Sequence, residues 1–308
     1  MKKILTIAVV LAGLTLVSYP GLAQGDGSAA PAVYVAGNYY PQGEMGPTFP
    51  CYWKNGTRID LSRDGLATGI AVSGGSVYVS GRNGYWKDKT KINFTGTAAQ
   101  TTGIAVSGGS VYVSGWYQAD SIKICYWKDG TRIDLPEADA QTTGIAVSDG
   151  SVYISGYYGN AVKTPRTPCY WKDGVRHDLP FTGKDGRATG IAVSDGSVYV
   201  AGFYGSTPCY WKDGTRIDLP IGKTPFTYGI TVSGGSVYVS GGNSGYWKDG
   251  ARIDFPETDM YTMYIAVSGG SVYVAGKNNW KPCYWKDGVR HDLPVTGEGD
   301  VSGIVVVE

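Results

Sequence analysis

The chain is dominated by a repeat. Each unit has an apolar segment of the type A-V-S-G-G-S-V-Y-V-S-G, a gap of variable length, and a segment of the type C-Y-W-K-D-G-T-R-I-D-L-P. The first segment places a tyrosine at Tyr34, Tyr78, Tyr112, Tyr153, Tyr199, Tyr238 and Tyr273, and the second places a tryptophan at Trp53, Trp86, Trp127, Trp171, Trp211, Trp247 and Trp285. Units of 34 to 46 residues suit four-stranded propeller blades, and no helical apolar pattern follows residue 30. We therefore predict an all-β, seven-bladed β-propeller of antiparallel blades over residues 33–308.

Turn residues divide each unit into four strands, which we call A to D in chain order. In one unit Gly144–Val147 is predicted as strand A and Val152–Ser155 as strand B, with the turn Ser148–Ser151 between them. The Y-W-K and R-I-D segments supply strands C and D, and the Asp-Gly pair between them supplies the positive φ that a tight hairpin needs. The apolar V-Y-V and Y-W runs suit a sheet that is buried on both faces.

The two ends of the chain complement each other. The first unit begins at strand B with Val33-Tyr34-Val35, and the chain finishes on Gly303–Val306, which is a strand A without the rest of its blade. We predict that the C-terminal strand becomes the innermost strand of the first blade and closes the ring. An open stack of seven units is the alternative.

The N-terminal segment has the pattern of a secretory signal peptide. Lys2 and Lys3 precede an apolar run from Ile4 to Val17, and Gly21–Ala23 ends in a small-residue cleavage site. We predict a signal peptide over residues 1–23 and a linker over 24–32. The apolar run is shorter than a membrane span, so a retained anchor is the lesser alternative. The mature protein is expected to be exported (periplasmic, cell-surface or secreted), not inserted in the membrane, and monomeric.

Composition gives no sign of a charged partner. Lys plus Arg number 27 and Asp plus Glu 26, so the formal net charge is +1. This balance argues against nucleic acid as a partner. No cofactor is indicated.

Five cysteines occupy one slot before the Tyr-Trp pair, at Cys51, Cys125, Cys169, Cys209 and Cys283. Equivalent points on neighbouring blades are too far apart for a disulfide, so we interpret the thiols as small buried hydrophobes. In two units with a short B-to-C connection the slot holds Gly84 and Gly245, which we attribute to a need for positive φ.

The other polar repeats also suit packing better than catalysis. His177 and His291 occupy the same strand D position in two units that lie nearly opposite in a seven-membered ring, so they cannot share a metal. In six units an Arg and an Asp lie two residues apart on strand D. Hydrogen bonds or ion pairs between blades would explain this repeated pair. A catalytic pair of carboxylates needs two unlike environments, so we predict no catalytic residues and no metal site, although calcium bound by loop acids stays open.

Variation between units is confined to one side of the disc. The A-to-B and C-to-D hairpins are short and nearly constant, whereas the B-to-C connections on the other side vary in length. Variable loops on a rigid scaffold commonly bind ligands. Aromatic residues open these connections, and we predict a ligand site on this loop face from Tyr39, Tyr40, Trp116, Tyr117, Tyr157, Tyr158, Phe203, Tyr204 and Trp280. The alternative is that these side chains cap the blade cores.

The repeat order G-I-A-V-S-G-G-S-V-Y-V-S-G followed by Y-W-K-D-G and D-L resembles bacterial extracellular repeats of the HAF type and related Y-W-K-x-G repeat proteins. The resemblance covers residues 33–308. It implies an exported propeller and supplies no catalytic residues.

We therefore predict a non-enzymatic binding, adhesion or scaffold protein whose loop face engages a glycan or a protein partner. Two alternatives stay open: an extracellular polysaccharide lyase or hydrolase on the same scaffold, and a purely structural envelope protein. Fold alone does not choose among them.

Overall fold

The computed structural model describes residues 30–41, 47–63, 65–95, 98–159, 164–183, 185–257 and 260–308. The predicted signal peptide lies outside these residues, as does the predicted linker up to residue 29. In the described part of the chain no helix is long and apolar enough to cross a membrane.

The described residues form seven four-stranded antiparallel sheets, which are the seven predicted blades. Blades 1 and 2 contain β1 (Ala32–Tyr40), β2 (Phe49–Lys54), β3 (Thr57–Asp60), β4 (Ala67–Ser73), β5 (Ser76–Gly81), β6 (Gly84–Lys87) and β7 (Thr90–Asn93). Blades 3 and 4 contain β8 (Ala99–Ser107), β9 (Ser110–Gln118), β10 (Ile122–Lys128), β11 (Thr131–Asp134), β12 (Ala140–Ser148), β13 (Ser151–Tyr158), β14 (Thr167–Lys172) and β15 (Val175–Asp178). Blades 5 and 6 contain β16 (Gly186–Ser194), β17 (Ser197–Tyr204), β18 (Thr207–Lys212), β19 (Thr215–Asp218), β20 (Thr227–Ser233), β21 (Ser236–Gly241), β22 (Gly245–Lys248) and β23 (Ala251–Asp254). Blade 7 contains β24 (Met260–Ser268), β25 (Ser271–Asn278), β26 (Lys281–Lys286) and β27 (Val289–Asp292), and β28 (Glu298–Val307) completes blade 1.

The last strand closes the ring, as predicted. Blade 1 has the strand order β28-β1-β2-β3, so its innermost strand comes from the other end of the chain. Val33 pairs with Val306 and Val35 with Ile304, antiparallel. All four side chains are buried. Closure therefore covers the strand edge that blade 1 would otherwise expose.

The hairpin turns have the backbone that the Asp-Gly signal predicts. Asp129 and Gly130 have φ of 50° and 83°, the sign pattern of a type I′ turn. The aspartate has a second role, because its Oδ1 accepts a hydrogen bond of 2.8 Å from the backbone N–H of Val111 at the start of strand B. The turn residue thus fixes strand C against strand B as well as reversing the chain.

The repeated tryptophan connects neighbouring blades. Each strand C tryptophan is at most 2 % exposed, and several donate the indole N–H to the loop that leaves the preceding blade. Trp211 donates to the carbonyl of Pro180 at 2.8 Å, and Trp247 donates to that of Pro220 at 2.9 Å. In these two contacts the proline that follows Asp-Leu at the end of one blade supplies the acceptor for the next blade's tryptophan.

The explanation offered for Gly84 is wrong in part. A Cβ at Gly84 would lie 2.1 Å from the carbonyl oxygen of Ile92, and one at Gly245 would lie 2.0 Å from that of Ile253. Gly245 has a φ of 157°, but Gly84 is not among the positive-φ glycines. Close approach of strand D is the constraint that both positions share.

Candidate functional site

The predicted aromatic residues lie at the ends of strand B rather than in the loops that follow it. Strand B runs past the glycine that is repeated in every unit and includes eight of the nine predicted site residues, in β1, β9, β13 and β17. The connections that follow are residues 41–48 in blade 1 and 119–121 in blade 3. Trp280 alone among the nine lies in a turn, between β25 and β26.

Four of these tyrosines lie over the strand D arginine of their own blade. The guanidinium carbon lies 4.2 Å from the ring centre in blade 1 (Arg58 and Tyr39), 3.9 Å in blade 3 (Arg132 and Tyr117), 4.2 Å in blade 4 (Arg176 and Tyr158) and 4.5 Å in blade 5 (Arg216 and Tyr204). In three of these blades the phenol also donates to the strand D aspartate, at 3.2 Å to Asp134, 3.2 Å to Asp178 and 3.0 Å to Asp218. These tyrosines therefore have partners within the blade.

The arginine and aspartate of strand D pair with each other within the strand. The Nε to Oδ1 distance is 2.8 Å for Arg58 and Asp60 and 3.0 Å for Arg216 and Asp218. The expectation that these pairs connect blades is wrong for this repeated contact, although Arg176 also reaches Glu137 of the preceding blade at 2.6 Å. The repeat thus places a charged pair along the outer strand of a blade, where charge discourages pairing with another sheet.

The other predicted aromatic residues on strand B pack locally. Tyr40 donates to Asp300 at 2.7 Å, and Phe203 meets Phe226 edge to face with ring centres 5.1 Å apart. Tyr157 is buried and donates to Gln141. Trp116 packs on the core between blades 3 and 4. The structure does not gather the eight strand B residues into one pocket; it distributes them over four blades as caps on the blade cores.

Trp280 differs from the other eight. It is 49 % exposed and lies at the tip of a two-residue turn in which Asn279 has a φ of 48° and Trp280 a φ of 61°. The ammonium of Lys277 lies 4.2 Å from the Trp280 ring centre and 5.7 Å from that of Tyr261, which is 43 % exposed. We call Tyr261, Lys277 and Trp280 the blade 7 platform.

The backbone of this turn is anchored to blade 1. The N–H of Gly299 in β28 donates to the carbonyl of Trp280 at 2.9 Å. The platform therefore has a fixed position beside the strand that closes the ring, and it presents two aromatic surfaces and one positive charge on the loop face.

A cavity of about 410 Å³ lies beside the same turn, whose Asn279 lines it. Its lining includes Asn278, Lys281, Arg290 and Asp292, together with the loop that leaves β27. Arg290 and Asp292 make the usual strand D pair at 2.8 Å, and Arg290 also donates to Asn278 Oδ1 at 3.4 Å. The volume falls within the roughly 300–1,000 Å³ of small-molecule sites.

Sequence reasoning missed a tyrosine that interrupts the innermost strands. Six blades have glycine at one strand A position, and in blade 7 that residue is Tyr264. Close packing explains the glycines, because a Cβ at Gly303 would lie 3.0 Å from the Ile70 side chain. Burial raises the pKa of Tyr264 to about 12, and the Asp300 carboxylate adds to this shift. The sequence signal that could have revealed it is that Tyr264 replaces a glycine that the other six blades share.

Acidic groups in the described residues do not form a recognisable metal centre. No group of three His, Cys, Asp or Glu side chains that could hold a metal occurs among them. Asp254 has its pKa below the usual value, because hydrogen bonds from Ser244 and Arg252 outweigh the opposing effect of burial. The lowered pKa keeps the Asp254 carboxylate ionised, whereas a general acid must hold its proton and needs a raised pKa.

The cysteines are buried, as predicted, whereas the two histidines are exposed and stack on strand C tyrosines. All five cysteines are free and buried. Burial raises the pKa of the Cys283 thiol to about 12. His177 stacks on Tyr170 with ring centres 4.8 Å apart, and His291 stacks in the same way on Tyr284 at 4.8 Å.

No protein-family model and no curated protein matches the sequence. The fold is similar to solved propellers. An acylaminoacyl peptidase from Pyrococcus horikoshii has a TM-score of 0.50 and 12 % identity over 94 % of this chain and 52 % of its own. The computationally designed Ika8 protein has a TM-score of 0.49 and 15 % identity over 79 % and 92 % of the two chains, and a gluconolactonase from Xanthomonas campestris has 0.43 and 17 % over 71 % and 82 %. This chain spans about half the length of the peptidase. That likeness shows the propeller scaffold and carries no activity with it.

Proposed function

We propose that this propeller is an exported binding or adhesion protein that engages a glycan through the blade 7 platform. The observation that carries the proposal is Trp280, a large aromatic side chain held exposed on a turn by a backbone that suits glycine or asparagine. Its φ of 61° lies in the left-handed region, which costs an ordinary L-residue about 1–2 kcal/mol. Strain at an exposed residue is a reason to look for a binding role.

The chemistry of the platform favours a sugar ring. The apolar face of a pyranose stacks on an indole ring, and its hydroxyl groups need polar partners at the edge of that ring. Lys277 supplies a donor between the rings of Trp280 and Tyr261. Asn279, next to Trp280 in the turn, adds an amide. A single face with these groups matches a short segment of a polysaccharide better than a buried small molecule.

Export and the monomeric state remain part of the proposal. The positively charged, apolar and small-residue segments of residues 1–23 support a cleaved signal. The charged Arg–Asp pairs on the outer strands of the blades disfavour pairing with a second copy. A glycan-binding propeller outside the cytoplasm is consistent with both.

The test is a glycan array followed by titration of the best ligand. Trp280→Asn keeps a residue that tolerates positive φ but removes the ring, so we expect binding at least about tenfold weaker. Lys277→Ala should weaken binding less. The control is Ser206→Ala in the two-residue turn of blade 5, which should bind like the parent.

Two outcomes would contradict the proposal. The first is an array without any signal above background, and the second is binding that is equal in the parent and in Trp280→Asn. If no glycan binds and a protein partner is captured in a way that depends on Trp280, the platform is a binding site for a protein instead of a glycan.

A further inference from the structure

The strand D cation of six blades lies against an aromatic ring of the same blade. In four blades this ring is the strand B tyrosine described above. Blades 2 and 6 lack that tyrosine, and there the cation lies over the strand C tryptophan: Lys91 is 3.5 Å from the Trp86 ring centre and Arg252 is 4.3 Å from that of Trp247. Among the residues that the structure describes, no ring lies over Arg290 of blade 7.

Blade 5 shows what blade 7 lacks. In both blades strand B is followed by a two-residue turn, and the last residue of strand B pairs with the first of strand C: Tyr204 with Thr207, and Asn278 with Lys281. Asn278 therefore occupies the position of Tyr204. Residues at this position share a sheet face with the strand D pair, because side chains alternate along a strand.

The exchange of tyrosine for asparagine leaves a vacant space beside an intact charged pair. The 410 Å³ cavity lies at this position, and Asn278, Arg290 and Asp292 all line it. The Asp292 side chain is 69 % exposed, against 46 % for Asp218, which accepts the Tyr204 hydroxyl. Arg290 and Asp292 thus present the same two groups as Arg216 and Asp218, without the ring.

We propose that blade 7 binds a phenolic ring supplied by a ligand, in the position that tyrosine takes in blade 5. The ring lies over the Arg290 guanidinium, and its hydroxyl donates to the Asp292 carboxylate. Arginine stacks on an aromatic face through its planar cation, an interaction that a pyranose does not offer, so the site favours a phenol over a sugar. The ligand is a tyrosyl side chain of a partner polypeptide or a free phenol, which share this chemistry.

None of the three platform residues lines this cavity, although Asn279 of the same turn does. Lys277 and Asn278 are adjacent on β25, so their side chains point to opposite faces of the sheet. Loss of glycan binding in Trp280→Asn therefore does not decide whether the phenol site exists, and the reverse also holds.

The first measurement is a titration of the full chain with N-acetyl-L-tyrosinamide and with N-acetyl-L-phenylalaninamide by ligand-observed NMR. One charge-assisted hydrogen bond predicts about tenfold tighter binding of the tyrosine derivative. Equal affinity of the two compounds would overturn the proposal. So would a methyl pyranoside that competes for the same site with higher affinity.

Two variants locate the site. N278Y fills the cavity with the side chain found in blade 5, so it should abolish tyrosinamide binding and raise the melting temperature. A raised melting temperature with unchanged binding would refute the assignment. Y204N opens a matching cavity in blade 5 and should raise the number of bound tyrosinamides from one to two; its melting temperature shows whether the fold is intact.

Two further ligands distinguish the sources of the ring. Tighter binding of acetyl-Gly-Tyr-Gly-amide than of p-cresol supports a polypeptide partner. Tighter binding of p-cresol supports a free phenol. Binding of neither compound overturns the proposal.

Discussion

The indole N–H of Trp211 donates to the carbonyl oxygen of Pro180 at 2.8 Å, which joins blade 5 to the loop that leaves blade 4. The equivalent Trp171 is just as buried, but its indole nitrogen has no hydrogen-bond partner in the described part of the chain. A comparison of Trp211 with Trp171 therefore distinguishes the contribution of the indole hydrogen bond from that of packing.

Trp211→Phe is expected to destabilise the protein more than Trp171→Phe. Both changes remove similar buried area, but the first also removes a hydrogen bond between blades, whose net contribution is about 0.5–1.5 kcal/mol. The free energies of unfolding from urea titration measure the difference. Equal losses would mean that the indole hydrogen bond contributes nothing to the contact between blades.

Because β28 closes the ring, we predict that the free energy of unfolding depends strongly on Ile304. Ile304→Ala removes a 5 % exposed side chain from the strand that seals blade 1, and we expect a loss of about 2–5 kcal/mol. Val307→Ala, at the partly buried end of the same strand, should cost well under half of that. If both variants unfold at the parent's urea midpoint, β28 does not hold the ring together.

The cysteines should be unreactive in the folded protein. Burial raises the pKa of Cys283 to about 12, so almost no thiolate forms at pH 8, and the other four thiols are also buried. A thiol-reactive disulfide reagent is expected to titrate none of the five at pH 8 in buffer and all five in concentrated urea. Rapid reaction of any of them without denaturant would contradict the buried slot.

We predict that protonation of Asp254 contributes to the loss of protein stability at low pH. Its pKa in the folded protein lies below the ordinary value of an aspartate, so near that pH the folded state binds fewer protons than the unfolded state. The stabilisation is complete above the unfolded pKa and is lost as the pH falls through the folded pKa. Asp254→Asn should therefore lose less stability than the parent between pH 5 and pH 2. Urea titrations at both ends of this range compare the two slopes, and parallel slopes would refute the assignment.

Turn chemistry and the repeat made the blades predictable. An Asp-Gly pair permits few backbone conformations, so Asp129-Gly130 located a hairpin without tertiary information. The partial units at the two ends required each other, so the pairing of β28 with β1 followed as well.

The end of strand B was harder to predict because its glycine suggested that the strand stops there. The structure shows another cause: a Cβ at Gly156 would lie 2.0 Å from the carbonyl oxygen of Gln141, so glycine permits strand A to approach while strand B continues. The tyrosines beyond that point consequently extend over the strand D arginines instead of facing solvent.

The distinctive features of blade 7 depend on side-chain neighbours that no single unit reveals. Asn278 stands where four other units have tyrosine, but only the positions of Arg290 and Asp292 show that a cavity lies beside it. Trp280 was predicted as one aromatic residue among nine, and its left-handed backbone, known from the structure, sets it apart.

The pairing of β28 with β1 also sets the order in which the molecule can be completed on the ribosome. β1 is among the earliest strands to be translated, and its partner is the last of the twenty-eight described strands to be translated. Until then Val33 to Ala36 offer an unpaired strand edge while six further blades are made, which is when a nascent chain is open to mispairing. A chaperone that shields an extended apolar segment would act on this protein near its beginning and late in its synthesis.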